Sequence, residues 1–265
     1  MLALASQIPA SVRRIDETKT MFLPALAAML TEVDADLDAW VETSEEKEAS
    51  STDPYHTAVS AIDRIAMDLG EKTVLPVFSL FIQQAVKSSE WQQRQAGYMT
   101  MGLIAECSKE SLLKNMDEAM KLACAGVLDD HPRVRYAGLS CLALLLTELA
   151  PKAQKKYHAE LMPVLIKMMA GEALVKIQTH AVSATINFAS GLTTEDEEED
   201  DQASSKIMGL YAHTLFETLV VLLKKGIDEN YEPLQEEVMK LLAVAASLIE
   251  TQFAQFYNQM MPMMI

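Results

Sequence analysis

One short word returns along this chain at a spacing near forty residues, and that recurrence leaves few folds open. HTA ends at Ala58, RQA at Ala96, RYA at Ala137 and THA at Ala181, at intervals of 38, 41 and 44 residues. A fifth counterpart, Val238 in QEEVMKLLAVA, lies 57 residues further on, beyond an acidic insertion. Each word opens the second of two amphipathic helices. Between 111 and 128, Leu112, Met116, Ala119, Met120, Ala123 and Val127 recur at three and four, the stripe of a helix with one buried face. DDHPRVR follows, where Asp129 or Asp130 can cap and Pro132 takes a tolerated first-turn position. A second helix then runs over 132–149 until Pro151 ends it, because proline cannot continue the ladder. The same pairing is read over 18–31 with 54–69, 73–87 with 90–107, 154–170 with 174–190, and 205–225 with 232–250. Two helices per forty-residue unit predict an all-α HEAT-repeat solenoid: a right-handed superhelix of antiparallel pairs, about five to six repeats over 1–265. With only 9 Gly and 9 Pro in 265 residues, turns are too scarce for a sandwich or barrel.

Charge is concentrated in two stretches. Over 32–53 there are nine acids against the single base Lys47, and 195–201 is seven consecutive acids within an insertion read over 193–204. Those two stretches account for nearly all of the net charge of −16. Neither has apolar periodicity, so both are expected as extended, solvated loops. Such acidity disfavours nucleic acid as a direct ligand and favours a basic protein partner. No apolar run reaches membrane-spanning length, and no signal-peptide pattern opens the sequence. Cys107, Cys124 and Cys141 are 17 residues apart among apolar neighbours, which reads as core thiols rather than a metal site or disulfides. Asp34, Asp36 and Asp38, followed by Glu45 at position twelve, mimic a calcium loop, but position six is Ala39 where the turn needs glycine. There is no phosphate-cradling glycine loop, HExxH or GxSxG. The chain is expected to bind rather than catalyse, with no cofactor. Its uncapped ends suggest a piece of a longer array.

Five segments carry a resemblance: AIDRIAMDLG (61–70), EWQQRQAGYMTMGLIAEC (90–107), DDHPRVRYAG (129–138), LAPKAQKKYH (149–158) and HAVSATINFAS (180–190). In this order they resemble a central block of the importin-beta (karyopherin-beta) nuclear transport receptors. The resemblance implies a carrier that shuttles between cytoplasm and nucleus, holding basic nuclear localisation signals on its inner surface. It also implies passage of the pore on Phe-Gly nucleoporins and release of cargo by Ran-GTP. By position it implies cargo contacts at Asp63, Glu106, Glu148 and Asn187, one polar group per repeat, with carboxylates and an amide oxygen satisfying lysine ammonium groups. An acidic loop bearing a tryptophan is expected to meet Ran or help displace cargo, through Asp34, Asp36, Asp38, Trp40, Glu42, Glu45 and Glu46. The alternative is a HEAT scaffold of the phosphatase or chromosome-organising kind, since architecture alone does not fix function.

Overall fold

The computed structural model describes residues 1–43, 47, 51–192, 201–254 and 256, and divides into two compact units. The first, Met1–Glu148, holds ten helices among its described residues. They are α1 Leu2–Gln7, α2 Pro9–Val12, α3 Leu23–Met29 (entered through a wide helical turn, Thr18–Phe22), α4 Leu37–Glu42, α5 Pro54–Leu69, α6 Glu71–Ala85, α7 Trp91–Leu103, α8 Lys109–Lys114, α9 Met116–Val127 and α10 Pro132–Glu148. α3 pairs with α5, α6 with α7, and α9 with α10. The second helices α5, α7 and α10 then pack side by side, and α3 lies on α6. This stacking is what the repeat period demands, because a single pair cannot bury its own apolar faces. The aligned residues mark those seams: Ala58, Ala96 and Ala137 are all buried.

Two small residues set how closely α9 and α10 approach. A Cβ placed on Gly138 would lie 2.3 Å from the Gly126 carbonyl carbon and 2.4 Å from the Val127 nitrogen. The two backbones are in direct contact, and no side chain fits between them. Gly70 serves a different need. With φ at +74° it turns the chain from α5 into α6 within one residue, a conformation open to glycine at little cost.

Arginines two residues before two of the aligned alanines brace the preceding turns. Arg94 Nη1 donates to the carbonyls of Ser88 and Ser89 at 3.1 and 3.0 Å. Arg135 Nη1 does the same to Asp129 and Asp130 at 3.1 and 2.9 Å. Arg94 also forms a two-pronged pair with Asp129, Nε to Oδ2 at 2.7 Å and Nη2 to Oδ1 at 2.8 Å, tying one repeat to the next. Burial works to raise the Asp129 pKa, but the Arg94 bonds and the His131 N–H outweigh it and hold the carboxyl below its usual value.

The second unit, Leu149–Ile265, contains α11 Lys152–Gly171, α12 Val175–Ser190, α13 Asp201–Asp228 and α14 Glu232–Ile249, with a tight turn Glu250–Phe253. α11 pairs with α12 and α13 with α14, while α12 packs on α14 and α11 on α13. Ala181 and Val238, the aligned residues here, are also buried. α13 begins at Asp201, so residues 201–204 are helix rather than part of a solvated insertion. Ser204 is buried there and donates to the Leu192 carbonyl at 2.8 Å. The acids before Asp201 lie outside the described residues. By length and composition alone, 202–228 within α13 is long and apolar enough to cross a bilayer, which corrects the expectation that no run is. Its apolar residues are nonetheless divided: Met208, Leu215, Phe216 and Leu219 are packed inside, whereas Leu210 and Val221 are exposed.

Burial lowers the pKa of His180 on α12 to about 4, the Glu237 charge opposing that shift and the Lys176 charge adding to it. An imidazole held neutral in the folded chain protonates more readily in the unfolded one. Its stabilising contribution is therefore complete above about pH 6.5 and is lost as pH falls towards 4. Thermal unfolding across that window should drop by several degrees in the wild type and clearly less in His180→Asn. Equal slopes would show that another group governs acid stability.

Candidate functional site

The acidic stretch 32–53 leaves the repeat between α3 and α5 and folds back on the first unit. Much of its acidity serves the backbone. Asp34 Oδ1 accepts from the Asp36 N–H at 3.0 Å, Asp36 Oδ1 from the Ala39 N–H at 3.0 Å, and Asp53 Oδ1 from the His56 N–H at 2.8 Å. Asp36 thereby caps α4 and Asp53 caps α5. Burial alone would raise the Asp53 pKa, but bonds from the His56 backbone and ring and from Ser51 hold it below the usual value.

The expectation of an extended, solvated loop is corrected at its centre. Trp40 is buried, its ring edge-on to Tyr136 of α10 with centroids 5.3 Å apart. Arg133, also buried, places its guanidinium carbon 5.1 Å from the Trp40 ring and 5.8 Å from that of Trp91. Its Nη1 donates to the Asp34 carbonyl at 2.7 Å. Trp91 is in turn stacked on His131 at 4.1 Å. The loop is thus latched by a cation between two indoles, and Trp40 serves as an anchor whose face is already occupied. The carboxylates of Asp34, Asp36, Asp38 and Glu42 remain on the exposed side, whereas Glu45 and Glu46 lie outside the described residues. Beneath them is a cavity of about 390 Å³ between the loop, the start of α5 and Arg133. The calcium-like spacing does not gather its ligands among the described residues, since Asp34 and Asp36 accept from backbone amides instead.

The four positions expected to meet cargo fall on second helices or just beyond them. Asp63 is exposed in the middle of α5. Glu106 is exposed in the turn after α7, and Glu148 is the half-buried last residue of α10. Asn187, in the other unit, stands half-buried in the last turn of α12. Glu148 thus puts a carboxylate at the C-terminal end of α10, a place that favours cations, whereas Glu106 stands in the turn between α7 and α8. Glu148 has Lys109 Nζ at 3.9 Å from its Oε2. Sequence reasoning did not find Arg133 or Tyr136. The signal was present in RVRY beside a lone tryptophan among carboxylates, but nothing local pairs the two. Of the three cysteines Cys141 is buried as expected, whereas Cys107 and Cys124 are only half-buried; none of the three is in a disulfide.

Residues 1–76 match the Importin repeat family. The chain is 30% identical over 244 residues to importin subunit beta-3 of Saccharomyces cerevisiae, covering 89% of this chain and 21% of that protein. It is 26% identical to human Importin-4 over 135 residues, 49% of this chain and 12% of that one. Among solved structures it is similar to Kap121p bound to Pho4p, with TM-score 0.84 and 25% identity over 98% of this chain and 24% of that chain. It thus spans about a fifth or less of the curated relatives it matches. Shared repeat wording, a helix-pair array and this similarity along nearly its full length make the chain similar to members of the importin-beta family.

Proposed function

We propose that this chain is the cargo-binding segment of a nuclear import receptor, taking lysine-rich targeting segments at Asp63, Glu106, Glu148 and Asn187. One observation carries the reading. A solved Kap121p variant bears three acid-to-lysine reversals at intervals of 43 and 42 residues, the same intervals that separate Asp63, Glu106 and Glu148. At Glu148 helix-end placement supplies the physics, since a lysine ammonium gains both a carboxylate and the negative end of a helix. Kap121p has also been solved bound to RanGTP and to Nup53p. By that likeness the exposed carboxylates Asp36, Asp38 and Glu42 are assigned to Ran-GTP, while Trp40 and Arg133 hold the loop that presents them. Phe-Gly nucleoporins would dock elsewhere on the array as the receptor moves between cytoplasm and nucleus.

Titration of a lysine-rich nuclear-targeting peptide in low and high salt tests this. Binding should be salt-sensitive, and Glu106→Lys and Glu148→Lys should each weaken it about tenfold. Binding indifferent to both reversals would move the site elsewhere, and no binding by the intact chain would remove the cargo role altogether.

A further inference from the structure

We propose that Lys109 is an internal competitor for the lysine of a bound partner at Glu148; this rests on the cargo reading above. Lys109 opens α8, three residues after Glu106, and its ammonium reaches back to within 3.9 Å of Glu148 Oε2. It therefore stands beside the Glu148 carboxylate, one member of the row. Its own helix offers it nothing there, because a cation at the first turn faces the positive end of the helix. The Glu148 side chain is the more buried partner at 21% exposed, and that of Lys109 is 51% exposed. At 3.9 Å the contact is longer than a hydrogen bond, so the ammonium neighbours the carboxylate electrostatically without being locked to it. An incoming lysine carries the same group on the same stem. One negative charge at a helix end is met by two chemically identical cations, and the more exposed internal one is displaced when the external one arrives. Lys109 thereby lowers affinity for single lysines and shields the acid when the site is empty. It discriminates in favour of segments whose several lysines engage Glu106, Glu148 and Asp63 together.

Lys109→Met keeps most of the stem and removes the charge. In titrations of the full chain with the lysine-rich peptide, this substitution should tighten binding about threefold at low salt. Lys109→Glu should tighten it further. In a Glu148→Gln background the gain from Lys109→Met should vanish, because the shared carboxylate is gone. Unchanged or weaker binding by Lys109→Met would overturn the proposal, as would a gain that persists without Glu148. Peptide binding that is lost in Glu148→Lys yet unmoved by Lys109→Met would reject the competitor and leave the cargo site standing. No binding by the wild-type chain would remove both.

Discussion

Gly138→Ala is expected to cost the first unit about 3 kcal/mol, enough to lower its urea midpoint visibly, although it adds a single methyl group. The new Cβ would meet backbone atoms of Gly126 and Val127 at 2.3 and 2.4 Å, and backbone cannot rotate aside as a side chain can. Relief requires α9 and α10 to separate, which opens the seam lined by Ala123, Val127, Val134 and Ala137. Gly171→Ala provides the control. It lies at the end of α11 with nothing within 4 Å of the added carbon, so stability should hold or rise by about 0.5 kcal/mol. Equal unfolding midpoints for Gly138→Ala and the wild type would mean that the two helices tolerate a wider spacing than their backbone contact indicates.

Arg133→Ala should release the acidic loop while leaving the helix pairs folded. The substitution removes the cation between Trp40 and Trp91 and takes away the donor that serves the Asp34 carbonyl. Together these losses amount to about 2 kcal/mol, a shift of roughly thirtyfold towards the undocked loop. Because Trp40 and Trp91 are the two tryptophans of the chain, intrinsic fluorescence should move to the red. Cleavage by a glutamate-specific protease within 32–53 should rise in step. Arg133→Lys should restore little, since an ammonium cannot present a planar fork between two rings. Unchanged emission and cleavage would show that the Trp40–Tyr136 contact holds the loop without the arginine.

The helical period was legible because it is local. The pattern over 54–69 gave the bounds of α5, Pro54–Leu69, directly. It failed over 111–128, where one helix was expected and the chain instead breaks between α8 and α9. The apolar stripe is continuous there. Asn115, however, leaves the helical region with φ −119° and ψ 31°, and its side-chain amide joins its own backbone N–H on the Ser111 carbonyl, at 3.0 and 3.1 Å, a local cap that a stripe of hydrophobic residues cannot reveal. The acidic loop was misread as extended for a related reason. Its composition is that of a solvated segment, yet its fate is set by Arg133 and Tyr136, some ninety-nine residues away in the case of the Asp34 contact. Charge patterning reads repulsion within the loop and is blind to a single aromatic with distant partners. The cargo positions came only from resemblance, since an exposed carboxylate on a helix end looks like any other in one sequence.

The arginine braces bear on how such an array can change over time and how it can be rebuilt. Arg94 and Arg135 each reach back five and six residues, and their targets are main-chain oxygens, which every residue supplies. One brace spans Ser-Ser and the other Asp-Asp, with the same reach in both. The brace itself therefore tolerates any composition at the corner, provided the arginine keeps its distance from the turn, while Asp129 answers to a second demand, its side-chain pair with Arg94. For the brace alone, specificity lies in one residue of the following helix rather than in the turn.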